Sequence, residues 1–486
     1  MRYIVQTFGC QMNAHDSRRI EEVLDAAGHT VTDDAALADV IVFNTCSVRE
    51  KAEHKLLSIL GTVRPLKEER PSLTVVVAGC VAQQEGERLL SRSPIVDVVL
   101  GPDNIAELPG LIANAQAGAP PIARTVFDLD ETRFLVASPR AHEREVTAFV
   151  TVMKGCDERC TFCVVPYTRG PERYRASSEI VAEVRSMVDG GTREVTLLGQ
   201  TVNSWHEPGA SEEGESQFAA LLERIAREVP ELARLRYTSP HPRHVTPALV
   251  RAHADLAVLP AHVHLPVQSG SNRVLKRMLR RYTRESYVER ARMLEGARRG
   301  LTLSTDVIVG FPGETREEFE ETLSLVREVG FSAAFAFKYS PRPHTPALKL
   351  DDDVSEEEKD ARLAELFSVV AEGQSAHLAS LVGTRAEVLV EAVGKRGDHA
   401  LPRFRGRTER HEIVHLDVPE GRDPIGMILP VVIERANDHS LEGRLAIDVA
   451  AIPLKTVERA SVPRPRSLRR LPMAPPSTVL SEGEGS

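Results

Sequence analysis

Gly155-Cys156-Asp157-Glu158-Arg159-Cys160-Thr161-Phe162-Cys163 decides how this chain is read. Three of its six cysteines fall here, spaced C-x3-C-x2-C. Three thiolates can hold three irons of a four-iron, four-sulfur cluster, whereas four cysteines are the usual full set. The fourth iron is then open to an exogenous ligand. Zinc is the competing reading, but zinc ribbons and fingers pair a C-x2-C with further ligands. No cysteine follows Cys163. Phe162, Val164 and Val165 are apolar and would screen one side of such a cluster, or simply pack in a core.

Outward from this loop the chain alternates strands and helices. Thr147–Met153 runs straight into the cysteines. Further strand candidates are Glu194–Gln200, Leu235–Thr238, His262–Gln268, Ser304–Gly310 and Ala334–Tyr339. Ile180, Val181, Val184, Met187 and Val188 recur at helical spacing between them. Six βα units predict a partial (β/α)6 barrel. Chemistry in such folds sits at the C-terminal ends of the strands, where the cysteine loop lies. Gln200, Gln268 and Asp306 fall at or near the same ends and offer amide or carboxylate partners to a ligand. Gly310-Phe-Pro-Gly-Glu-Thr315 follows a strand, and Thr315 with Glu318 forms a capping box.

Toward the N-terminus, Tyr3–Thr7, Val40–Asn44, Leu73–Ala78 and Val96–Leu100 read as strands of a parallel α/β sheet. Cys10, Cys46 and Cys80 follow the first three almost at once, 36 and 34 residues apart, about one βαβ unit each. Parallel strands with right-handed crossovers end on one sheet edge. The three cysteines can therefore converge as a second three-thiolate metal site. The alternative is three buried small residues.

Toward the C-terminus, Ser355-Glu-Glu-Glu-Lys-Asp opens a helix over 354–381, its acids suited to the helix dipole. Short alternating strands follow at Arg385–Glu391, Glu412–Leu416, Met427–Glu434 and Leu445–Val449, which predict a small all-β barrel. Between Lys395 and His411, Lys395, Arg396, Arg403, Arg405, Arg407 and Arg410 face only two acids, with Phe404 among them. Basic charge can track phosphates and an aromatic can stack on a base, so Lys395, Arg396, Arg403, Phe404, Arg405 and Arg407 are candidate RNA contacts. The run Lys276–Arg284 could add phosphate contacts, but by itself reads as an exposed helix face.

The whole chain of 486 residues has net charge −9, so any nucleic-acid site must be a local patch. No apolar run reaches the roughly 18 residues of a membrane span, and Met1–Gly9 has no signal-peptide core. A cytoplasmic location is expected, where cysteines serve metal or redox chemistry rather than disulfides. The organisation expected is 1–117, 118–141 as a linker, 142–376, 377–449, and a disordered tail over 450–486.

With these motifs in place, the chain resembles the radical S-adenosylmethionine superfamily, on the cysteine trio after a first barrel strand. Thr7-Phe-Gly-Cys-Gln-Met-Asn13, Asn44-Thr-Cys-Ser-Val-Arg-Glu-Lys-Ala52 and Gly79-Cys-Val-Ala-Gln-Gln84 are similar to the N-terminal module of the methylthiotransferases. Gly155–Gly170, His264-Leu-Pro-Val-Gln-Ser-Gly-Ser271 and Gly310–Thr315 are similar to its tRNA-modifying branch. The resemblance covers roughly residues 2–448. Gln11-Met12-Asn13 favours the branch acting on N6-dimethylallyladenosine over those acting on a ribosomal-protein aspartate or on threonylcarbamoyladenosine. Thr201 in Leu-Leu-Gly-Gln-Thr-Val-Asn departs from the pattern, where asparagine is more usual.

The resemblance implies two 4Fe–4S clusters and S-adenosylmethionine. Cys156, Cys160 and Cys163 would hold the cluster that binds and cleaves S-adenosylmethionine, with Gln200, Gln268 and Asp306 as its further contacts. Cys10, Cys46 and Cys80 would hold the auxiliary, sulfur-delivering cluster. A methylthio group would be added to C2 of the adenine beside the anticodon. The terminal barrel would be a TRAM RNA-binding domain. The implied partners are the tRNA anticodon stem-loop and an external electron donor such as flavodoxin or ferredoxin, with no membrane. A non-catalytic, zinc-containing RNA-binding protein is the reading from another class.

Overall fold

The structure, a computed structural model, describes residues 1–47, 50–127, 145–209, 216–394 and 401–454. They fall into two compact units, one of the described residues up to 127 and one from 145 onward. The end of the tail, from 455, lies outside them.

The first unit is built on a six-stranded parallel sheet. Its strands are β1 (Arg2–Phe8), β2 (Thr30–Val31), β3 (Val40–Thr45), β4 (Thr74–Gly79), β5 (Val98–Leu100) and β6 (Ile122–Arg124), in the order β2-β1-β3-β4-β5-β6. β3 and β4 are buried throughout, as their near-continuous apolar sequences require of strands covered on both faces. The register sets Phe8 opposite Thr45 and Thr45 opposite Gly79. β6 lies within the stretch expected to be a linker; its three residues pair with β5, so the sheet runs past residue 117. A strand this short carries too little periodicity to stand out beside the breaker-rich 117–121.

The second unit begins with β7 (Thr147–Thr151), β8 (Met153–Lys154) and β9 (Arg173–Tyr174) and continues with β10 (Glu194–Leu198), β11 (Arg234–Tyr237), β12 (His262–His264), β13 (Thr302–Val309) and β14 (Ala333–Lys338). The six barrel strands expected are present, but hydrogen bonding divides them into two parallel sheets, β11-β10-β7 and β12-β13-β14. Among the described residues no ladder joins β11 to β12. β12 is three residues long and lies between Pro260 and Pro266, which lack backbone donors. Leu303, Val307 and Val309 of β13 enter the core, so Ser304, Asp306 and Ile308 face the barrel interior.

Helix Glu356–Ser380 follows, with Ser355 accepting from the Glu358 amide at 3.2 Å. Five strands then close a small barrel: β15 (Arg385–Val393), β16 (Arg403–Arg407), β17 (Ile413–Asp417), β18 (Ile428–Ala436) and β19 (Leu441–Leu445), in the order β15-β16-β17-β19-β18. This barrel docks on its neighbour. Arg234 Nη1 donates to the Arg407 carbonyl at 2.8 Å, and Arg236 Nη2 to that of Glu409 at 3.1 Å.

Candidate functional site

The cysteine loop is held from several directions. The Cys156 amide donates to Gly170 O at 3.1 Å, and Thr161 N and Oγ1 donate to Met278 O and Arg277 O at 3.0 and 2.9 Å. Ala347 N donates to Thr161 O at 2.9 Å. Gly155 has φ +78°, and a Cβ there would lie 1.8 Å from Pro171 O, so the turn into the loop admits only glycine.

Around the sulfurs the contacts differ. Thr201 Oγ1 lies 3.0 Å from Cys156 Sγ, and Arg280 Nη1 donates to Cys160 Sγ at 3.3 Å. Burial pushes the Cys156 and Cys163 thiols up to about 12. All three are free cysteines. This donor set fits a thiolate-bound metal: ligation must displace protons, and buried sulfurs with donors aimed at them suit a charge-bearing cluster.

Gln200 stands one residue before Thr201, and its Oε1 and Nε2 are both buried with no protein partner. Gln268 and Asp306 meet on neighbouring chain segments. Gln268 has φ +73°, its amide donates to Asp306 O at 2.9 Å, and Ile308 N donates to Gln268 O at 2.9 Å. The Asp306 carboxylate lies 3.3 Å from His264 Nε2.

Sequence reasoning overlooked a third group. Glu158, inside the cysteine loop, has its carboxylate within 4.8 Å of ring nitrogens of His241 and His244. His244, its Nε2 3.6 Å from Glu158 Oε1, holds the Glu158 carboxyl below its ordinary range. Arg243 Nη1 stands 3.7 Å away, and the group reads as an ionic tie from the loop to the segment after β11. Thr201 carried a signal as a departure from the family pattern. Arg280 was hidden in a run read as an exposed face, yet Arg277 donates to Pro312 O at 3.1 Å and Arg284 pairs with Glu328 at 2.8 Å.

In the first unit, Cys10 precedes helix Gln11–Ala26, Cys46 follows β3, and Cys80 follows β4. The register places all three on one sheet edge, at the ends of adjacent strands. Gly9, φ +147°, passes so close that a Cβ would lie 2.4 Å from Cys46 Cβ. Asn13 Nδ2 donates to Asn44 Oδ1 at 3.2 Å and to Thr45 O at 3.1 Å, and Asn44 Nδ2 returns a bond to Asn13 O at 2.8 Å. Cys10 Sγ lies 3.3 Å from Asn13 Oδ1.

The basic segment of the small barrel departs from expectation. Arg403–Arg407 forms strand β16. Phe404 is 6% exposed in the barrel core, so it offers no face to a base. Alternation along the strand turns Phe404 inward with Gly406, and the arginines between them outward. Arg403 pairs with Glu442 at 2.8 Å and Arg407 with Glu391 at 2.5 Å. Lys395 and Arg396 lie outside the described residues.

Comparison with known proteins agrees with this anatomy. The uncharacterized protein family UPF0004 matches residues 2–101, and the radical SAM superfamily matches residues 150–326. The tRNA-2-methylthio-N(6)-dimethylallyladenosine synthase of Sorangium cellulosum (strain So ce56) is 58% identical over 99% of both chains. The protein of that name from Acidithiobacillus ferrooxidans (strain ATCC 53993 / BNL-5-31) is 45% identical over 91% of this chain and 97% of its own. Among solved structures, the radical S-adenosylmethionine methyltransferase TsrM from Kitasatospora setae is 17% identical with TM-score 0.50, covering 71% of this chain and 76% of that one, a likeness of fold alone. Among the described residues no helix is long and apolar enough to cross a membrane. The full-length identity, with both family matches, places this chain in the radical S-adenosylmethionine methylthiotransferases, the family of the tRNA-2-methylthio-N(6)-dimethylallyladenosine synthases.

Proposed function

We propose that this protein adds a methylthio group to C2 of N6-dimethylallyladenosine beside the anticodon of tRNA, in the cytoplasm. The observation that carries the reading is the pair of three-cysteine sets, one in a loop and one on a sheet edge, in a chain 58% identical over its length to an enzyme named for that product. Cys156, Cys160 and Cys163 would hold one 4Fe–4S cluster, and Cys10, Cys46 and Cys80 a second. When bound, the first cluster with S-adenosylmethionine supplies a 5′-deoxyadenosyl radical, and the second supplies sulfur.

The chain's own residues position and enclose these groups. The bonds that Thr161 makes with Met278 O, Arg277 O and Ala347 N fix the cysteine loop at the barrel rim. Gln200, with both amide atoms unpaired, and the Gln268 and Asp306 pair are the candidate contacts to S-adenosylmethionine. Phe162 packs with Val274, Phe311 and Tyr339, an apolar wall that keeps water from a radical reaction. The small barrel is assigned as a TRAM-like RNA-binding module. Its described RNA contact narrows to Arg405, which no described ion pair claims, with Lys395 and Arg396 ten and nine residues before it in sequence. Electrons come from an external donor of the flavodoxin or ferredoxin kind.

Two measurements test the reading. Anaerobic reconstitution should load two clusters, seen as iron and sulfide counts of about eight per chain. Nucleosides from the tRNA of a strain lacking this protein should lose the 2-methylthio derivative and keep N6-dimethylallyladenosine. A colourless, zinc-loaded protein or an unchanged nucleoside profile overturns it.

A further inference from the structure

The chain passes from β7 through the two-residue β8 into the loop that carries Cys156, and the loop that carries Thr201 leaves β10. β7 and β10 are parallel neighbours with Thr151 opposite Leu198. Both chains therefore emerge at one edge, and Thr201 reaches the first cysteine from a position 45 residues away. It is held there firmly. Thr201 is 1% exposed. Its carbonyl accepts from Ser204 N at 2.8 Å and from Ser204 Oγ at 2.9 Å. The preceding Gly199 presses on Met153, where a Cβ would lie 2.6 Å from Met153 Cγ.

A hydroxyl 3.0 Å from a free thiol can donate or accept. A metal-bound thiolate carries no proton, so with iron on Cys156 the direction is settled: Thr201 donates. Arg280 plays the same part at Cys160, as a cation. Its Nη1 is 3.3 Å from the sulfur. Its Nε donates to Tyr282 Oη at 2.9 Å, its guanidinium lies 5.1 Å from the Tyr282 ring centroid, and its amide donates to Leu275 O at 2.9 Å. Thus a neutral donor sits on one sulfur and a positive one on another. Hydrogen bonds and charge at cluster sulfurs stabilise the more negative, reduced state and raise the reduction potential.

Resting on the assignment of a cluster to Cys156, Cys160 and Cys163, we propose that Thr201 and Arg280 are positioning residues that donate to its thiolates and make its one-electron reduction easier, Arg280 more strongly than Thr201.

The test uses the full chain with Cys10, Cys46 and Cys80 changed to serine, so that one cluster gives the signal. Parent, T201V, T201S, R280K and R280Q are reconstituted anaerobically, their iron counted, and their reduction followed by electron paramagnetic resonance against potential, without S-adenosylmethionine. At the potential that half-reduces the parent, T201V should show a reduced-to-oxidised ratio lower by about three- to tenfold. T201S should match the parent. R280Q should shift further than T201V, and R280K less than R280Q. Full iron in T201V with the parent's midpoint overturns the proposal for Thr201. So does a T201S shift equal to that of T201V, which assigns the effect to packing. If T201V loads iron poorly, T201A gives the same comparison with a smaller side chain. R280Q at the parent's midpoint overturns the part given to Arg280. A parent that binds no iron defeats the cluster assignment instead, and the two failures are told apart by the iron count.

Discussion

The two cysteine triplets reach similar arithmetic by opposite routes. Cys156, Cys160 and Cys163 sit in one loop, and their spacing is written in eight residues of sequence. Cys10, Cys46 and Cys80 are brought together only because β1, β3 and β4 are adjacent, parallel and in register. The loop set depends on what grips it: Gly155, Thr161 and the turn near Met278. The edge set depends on the sheet. A one-residue slip of β3 or β4 would turn a cysteine to the other face. A local motif thus survives small shifts of its surroundings, whereas a register-made motif is only as stable as the sheet beneath it.

Removing one set at a time is the strongest way to break this contrast. Cys156→Ala with Cys160→Ala and Cys163→Ala should abolish methylthio transfer to tRNA and leave about four irons per chain, by iron and sulfide analysis. Loss of all iron would mean the sets are not independent. Next in size is Gly79→Val. Gly79 has φ +92°, and a Cβ would lie 2.5 Å from Thr45 O and 2.3 Å from Asn44 Oδ1. We expect a cost of about 4 kcal/mol in denaturant melts, with iron lost from the edge set and kept by the loop set.

Acid should weaken the barrel in a third way. Burial lowers His253, 1% exposed and 2.6 Å from Tyr237 Oη, to about 4. A base whose folded value is depressed stays neutral in the fold while the unfolded chain takes up a proton below about 6.5. Stability should therefore fall as the pH drops, by about 1 kcal/mol at pH 5.5 and about 3 kcal/mol by pH 4. His253→Gln should flatten that pH dependence in thermal melts; an unaltered slope would place the titration elsewhere. The smallest effect belongs to Asn13→Ala, which strips the polar network beside Cys10 and Cys46. It should cost about 1–2 kcal/mol and lower iron retention in the edge set alone, measured by chelator challenge.

Legibility followed the range of the interactions. The capping box at Thr315 and Glu318 was readable because its partners are three residues apart, and it forms with bonds of 3.3 and 2.8 Å. The long helix, its acidic first turn and the strand before the cysteine loop were readable for the same reason. β16 was not. Its arginines dominated the composition, while the Phe404 and Gly406 alternation that buries one face is short and interrupted by charge. The charge of the segment misled further, since charge in sequence says nothing of whether Glu442 and Glu391 stand opposite.

By itself the sequence determined the partition of six cysteines into two sets of three, the α/β alternation that carries them, and the family. Those features are local: spacing, periodicity and turn chemistry. Only the tertiary structure decided that the barrel ladder breaks between β11 and β12, that Phe404 is core, and which groups touch the sulfurs. Thr201 and Arg280 come from 45 and 120 residues away. A hydrogen bond is settled within a few tenths of an ångström, and no spacing rule carries that accuracy across so much intervening chain.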